Sequence, residues 1–394
     1  MNLQTLLQTP GFSLDDLKRT VSQRGLVLKE WNDRVMVTYP NQSNRGGAAG
    51  AAGAAGTAGT TSTGNTTSPT NQIDFSDPIT KECRGIIIDK TSMKIVCYSM
   101  DKLESVGDCS DFGQNPQNKV LRELFEAADG ITEELYDGSL IKLYWYDNQW
   151  TVATNRCIEA RKARWTNYRT FADMFQDAAS ACNLDYAKLN PRHVYSFVLC
   201  HPENRIVVNY TQPKLIHIAT RDLDTLLETD VNIGIEKPLQ LKMDWDTFQE
   251  RLQSNPYYMP GYVLKTLAGT RILLKSANYQ TVKQIRGHTR DLAQRYLELK
   301  RNDTQTFEQF NMYFPEFAWI ETRLETVARE VHHCYLEYFI NHNKQIFSQR
   351  DLWELLSELH TLYLRTKEPT SLTKVRQHLQ SYPTDKLARL LRGT

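Results

Sequence analysis

The chain has 394 residues and a mass of 45.5 kDa, with 40% hydrophobic and 24% charged residues, enough to bury sizeable cores in two folded units. Its 47 basic residues nearly cancel 46 acidic ones, which excludes a chain-wide polycation but leaves room for local basic surface. The 7 cysteines are scattered without a CxxC pair or zinc spacing, no apolar run reaches membrane-spanning length, and the N-terminus lacks a signal-peptide pattern. The reading is a reduced, cytoplasmic protein with no metal site and no membrane partner.

In chain order, residues 3–23 carry helical spacing through Leu6, Leu7, Phe12, Leu17 and Val21, and Gly25 then opens a strand pair, LVLKEWN and RVMVTYP. From 43 to 72 the composition collapses to Gly, Ala, Thr, Ser and Asn, which cannot offset ordering entropy by burial and reads as a disordered insert. ECRGIIID and MKIVCYSM read as neighbouring strands. SLIKLYWY and QWTVAT read as a hairpin with Asp147-Asn148 at its tip. A helix is expected over 157–182, then strands in YSFVLCHPENRIVVNY, KLIHIATRD, PGYVLKTLAG and TRILLKS. Amphipathic helices follow at 281–301, roughly 316–345, 349–366, 370–380 and 384–392. The expected division is therefore 1–280, an α+β body, and 281–394, an all-helical domain.

Several phrases then occur in a telling order: ECRGIIID, MDK, YDGSLIKLYWYDNQWTVAT, HPENRIVVNY, PGYV and LLKSANY. Over about residues 75–285 this set resembles the ATP-dependent RNA ligases of the T-even bacteriophage tRNA-repair type and their large-DNA-virus relatives. The resemblance implies a nucleotidyltransferase fold with an antiparallel-sheet core. It also implies a lysine that attacks ATP, passes AMP to an RNA 5′-phosphate and so activates that end for a 3′-hydroxyl, with magnesium held by carboxylates. Carried over by position, Arg84 and Lys102 lie near the nucleotide, and Asp137, Gly138 and Ser139 form the first signature. Arg156 is a basic residue of that site although Cys157 replaces the glycine after it. Phe197 fits an adenine-stacking aromatic, and Arg205 and Lys275 complete the basic set.

Four positions depart together: the nucleophilic lysine is Leu135, a metal-facing glutamate is Val198, a second glutamate is Pro260, and one lysine of the last motif is Leu273. A leucine has no lone pair with which to attack phosphorus. Lys142, the nearest lysine, faces away from Leu135 if the strand is regular. The expectation is a catalytically defective relative that keeps RNA, nucleotide or protein binding, with ATP and magnesium as cofactors only if it is active. The rivals are an active RNA ligase with another nucleophile and a purely structural or scaffolding protein. Taken alone, Asp137-Gly138-Ser139 is also an ordinary turn sequence. Tyr144, Trp145, Tyr146 and Trp150 read as cross-strand packing partners. The basic runs VKQIRGHTRDLAQR and KLARLLR read as solvated helix faces.

Overall fold

A computed structural model describes residues 1–40, 73–105, 117–164, 169–266, 269–289, 291–343 and 350–393; the insert expected at 43–72 lies outside them. They form two compact units, Met1–Gln280 and Thr281–Thr394. The strands of the first unit are β1 (Val27–Trp31), β2 (Arg34–Thr38), β3 (Ile86–Asp89), β4 (Ile95–Cys97), β5 (Glu104–Ser105), β6 (Ile131–Glu134), β7 (Ser139–Tyr146), β8 (Gln149–Thr154), β9 (His193–Cys200), β10 (Lys214–Asp222), β11 (Glu228–Thr229), β12 (Gln240–Lys242), β13 (Gly261–Lys265) and β14 (Arg271–Lys275). They make three sheets, ordered β1-β2-β3-β4, β11-β10-β9-β7-β8 and β12-β6-β13-β14-β5. Every pairing is antiparallel except that of β14 with the short β5.

Each sheet buries its apolar faces in a distinct cluster. The second sheet lays Ile141, Leu143, Tyr195, Phe197 and Leu199 on the helix Phe171–Ala181. The third lays Tyr262, Leu264, Ile272 and Leu274 on Leu121 and Phe125 of the helix Gln117–Ala127 and Phe248 and Leu252 of the helix Trp245–Ser254. Between the first two sheets, Met36, Ile87 and Cys97 meet Tyr144, Ala153 and Val194. The β7–β8 hairpin has both tip residues, Asp147 and Asn148, at positive φ of 51° and 55°, the geometry of a two-residue turn.

The structure corrects several local expectations. Residues 3–23 are two helices, Asn2–Leu7 and Leu14–Gln23, because Ser13 starts the second with a capping box to Asp16. The helix expected over 157–182 begins at Phe171, where Thr170 caps it. Before it, residues 157–164 are non-helical apart from one 3₁₀ turn, Ala160–Lys162. The helix expected over 281–301 is interrupted: Ala277–Arg286 closes at Gly287 (φ 73°) and Leu292–Asn302 restarts from the Asp291 cap. The second unit continues with helices Thr304–Tyr313, Trp319–Tyr335, Arg350–Thr366, Leu372–Ser381 and Thr384–Arg392, and no strand occurs among its described residues. The molecule is thus α+β with an all-helical C-terminal part. No helix among the described residues is long and apolar enough to cross a membrane.

Candidate functional site

Between Glu134 and Ser139 the chain leaves the third sheet and enters the second. A regular strand running from Leu135 to Lys142 is therefore not what forms. The Leu135 amide donates to the Gly261 carbonyl at 2.9 Å, continuing the β6–β13 ladder by one residue. Gly261 in turn pairs with Lys275. Leu135, Gly261 and Lys275 are consequently one row across the third sheet, and Glu133, Val263 and Leu273 are the next row on the same face. Alternation puts Arg271 on this face too. Its guanidinium donates to the Ile218 carbonyl of β10 at 3.3 Å and to both Glu228 oxygens at 2.7 and 2.9 Å, so the face turns toward the second sheet.

Three altered positions gather here. Leu135 is half-buried in the row, Pro260 is buried at its end, and Leu273 is 8% exposed in the neighbouring row. Val198 is elsewhere, on the second sheet opposite Leu140, with its Cγ1 only 2.7 Å from where a Gly138 Cβ would stand. Lys142 pairs with Ser196, is 0% exposed, and donates its ammonium to the Gly85 carbonyl. Burial pushes the Lys142 pKa down, with a further push from the Arg84 charge.

The preserved letters of the first signature have structural partners. The Asp137 Oδ2 accepts the Val207 and Val208 amides, both at 2.8 Å, and its Oδ1 accepts the Tyr279 hydroxyl at 2.6 Å. Gly138 has no space for a side chain, since a Cβ would lie 2.4 Å from the Leu199 carbonyl oxygen. Ser139 donates to Asn204, which donates to the Leu199 carbonyl at 3.1 Å. Arg205 belongs to the same turn, its Nε donating to the Val207 carbonyl at 3.2 Å.

The remaining candidates separate. Arg84 carries a buried Nη1 without a hydrogen-bond partner, and burial lowers its pKa to about 10, opposed by Tyr39 and reinforced by Arg271. Lys102 lies 4.3 Å over the Phe75 ring in a pocket of about 270 Å³ with Lys81 and Glu104. Arg156 is in the loop after β8, its carbonyl accepting from Lys29 at 2.7 Å. Phe197 requires a correction: its ring is 0% exposed among Phe175 and His217 on the helix-covered side of the second sheet, so it offers no face to a nucleobase. The expected strand parity predicts which way an aromatic points only when the face is assigned, and Val198 takes the open one. Arg271 and Glu228 were not singled out from sequence, although Arg271 shares its alternation with Leu273 and Lys275.

Among the described residues no group of three or more histidine, cysteine or carboxylate side chains is placed to hold a metal, and the two glutamate positions are apolar. Hard divalent cations need such oxygens.

No protein-family model matches the chain. The chain is similar to the immediate-early protein ICP-46 of Frog virus 3, with 23% identity over 64% of this chain and 72% of that protein. It is also similar to an RNA ligase of Rhodothermus phage RM378, with 28% identity over 36% of this chain and 37% of the ligase. An archaeal ATP-dependent RNA ligase structure aligns with TM-score 0.42 and 9% identity, covering 80% of this chain and 73% of that one. The phage relative, with a putative bifunctional polynucleotide kinase/RNA ligase of Autographa californica nuclear polyhedrosis virus, 27% identical over 39% of this chain and 23% of that protein, bears out the resemblance to viral RNA ligases.

Proposed function

We propose that this protein is a catalytically silent RNA-ligase-like protein that binds RNA through phosphate contacts. The observation that carries the reading is the row Leu135, Gly261, Lys275. Adenylylation requires an unprotonated amine to form a P–N bond to the α-phosphate while pyrophosphate leaves, and this row has an isobutyl group where the resemblance calls for the amine. Lys142 does not substitute, because it is enclosed and its protons are directed at a backbone carbonyl. Arg84, Lys102 and Lys275 retain positive charge that suits phosphates, and with Val198 and Pro260 where the resemblance has glutamates the retained role is binding.

Incubation with α-³²P-labelled ATP and magnesium or manganese is expected to leave the protein unlabelled; an alkali-stable protein–AMP adduct would return the reading to an active ligase. Affinity for a fluorescent 20-nucleotide RNA is expected to fall steeply with salt, as released counterions require. Absence of RNA binding even at low salt would favour the scaffolding alternative.

A further inference from the structure

Outside the row of altered motif positions, cations converge on the loop after β8. The stretch Asn155–Arg164 holds Arg156, Arg161, Lys162 and Arg164 against a single acid, Glu159. That acid is already committed: its carboxylate takes the buried Arg34 guanidinium at 2.6 Å. On β1, Glu30 is held between Lys18 at 3.0 Å and Lys90 at 2.8 Å. Among the described residues no carboxylate pairs with Lys29, Arg161 or Lys162.

The loop is held firmly. Thr154 Oγ1 accepts the Arg156 and Cys157 amides at 3.2 and 3.0 Å, Thr38 donates to the Asn155 carbonyl at 2.8 Å, and Gly85 packs so closely on Asn155 that a Cβ would be 2.5 Å from its oxygen. On this support Lys29 reaches the Arg156 carbonyl, and the Lys162 ammonium lies 3.1 Å from the centre of the Trp31 ring. Lys29 and Trp31 are two residues apart on β1 and so share its face. Lys29 and Lys162 are both close enough to act on the Cys157 thiol, while Arg161 stands exposed beside them. Burial first, and the Arg156 charge with it, hold the Lys29 pKa below the usual lysine value.

Lys29, Arg161 and Lys162 repel one another on this rigid support, and no carboxylate among the described residues pairs with any of the three. A polyanion with regularly spaced charges relieves them together. We infer that Lys29, Arg161, Lys162 and the Arg156 loop form a phosphate-backbone track for RNA, with Trp31 at its floor. This rests on the RNA-binding reading above and gives it a location distinct from the row of altered motif positions. The contact is to phosphates, so the track grips RNA without regard to base sequence.

The test is charge reversal on the full chain. R161E/K162E is compared with the single variant R161E, since the Arg161 side chain is exposed and has no hydrogen-bond or ion-pair partner among the described residues. Binding of the 20-nucleotide RNA is measured by anisotropy from 50 to 300 mM salt. The double variant is expected to bind at least tenfold more weakly at 100 mM, with the log–log salt slope reduced by about 1 to 2, and R161E by an intermediate amount. Wild-type binding that is matched by both variants, with unchanged slope, overturns the track while leaving the RNA-binding reading in place. Failure of the wild type to bind overturns both. Polyglutamate that competes as well as unlabelled RNA at equal charge also overturns the track, by making the patch a general anion surface.

Discussion

The retained and the altered letters of one motif occupy contrasting surroundings. Asp137, Gly138 and Ser139 are enclosed by partners drawn from other parts of the chain. The Asp137 carboxylate alone ties residues 70, 71 and 142 positions away. Leu135, two residues earlier, has a backbone hydrogen bond to Gly261 and a half-buried side chain. The retained letters do architectural work, whereas the position that has changed is one that only chemistry requires to be a lysine. A motif can therefore keep announcing a fold after its reaction has gone.

That contrast predicts a steep hierarchy of effects. Asp137→Ala strands two amides and a tyrosine hydroxyl in the interior and is expected to cost about 3 to 5 kcal/mol in urea unfolding. A loss under about 1 kcal/mol would break the architectural reading of the aspartate. Gly138→Ala meets a backbone oxygen that cannot swing aside and is expected to cost about 2 to 4 kcal/mol by the same measurement. Tyr279→Phe removes one hydrogen bond to a carboxylate and is expected to cost about 1.5 to 3 kcal/mol. Leu135→Lys comes last: its side chain is half-buried and a lysine can direct its ammonium to water, so stability should shift by less than about 1 kcal/mol. The Leu135→Lys protein should still take no label from ATP, because Val198, Pro260 and Leu273 remain.

A pH series sharpens the account of how the second and third sheets are tied. Burial opposes ionisation of Glu228, but hydrogen bonds and charge from Arg271, then Lys265, outweigh it and lower its pKa to about 2. A carboxylate with a depressed folded-state pKa stabilises fully above its unfolded value, near 4.3, and that contribution fades as pH falls toward 2. Stability should therefore decline across this window in the wild type, and Glu228→Gln should decline less while starting lower. Parallel curves for the two proteins would remove Glu228 from the acid response.

Much of this was legible in the sequence because it is local. The Asp147-Asn148 hairpin, the alternation in β14 and the missing lysine at Leu135 all sit within a few residues of their signals. The helix expected from 157 was misread for the opposite reason. Cys157, Ile158, Ala160 and Ala163 have acceptable helical spacing, but Thr38, Lys29 and Arg34 pin this segment from more than a hundred residues away. The role of Asp137 was hidden likewise, since Val207, Val208 and Tyr279 carry no mark of their common partner. Phe197 and Val198 show a finer limit, because an aromatic beside the motif position takes the core face when its neighbour takes the open one.

The enclosed Lys142 has a practical consequence. Its amine is 0% exposed and occupied by the Gly85 carbonyl, so an amine-acylating reagent applied to the folded protein should modify the surface lysines and spare this one. Mass spectrometry of the peptide bearing Lys142 would then serve as an internal gauge of opening, because acylation there can proceed only when the first two sheets part.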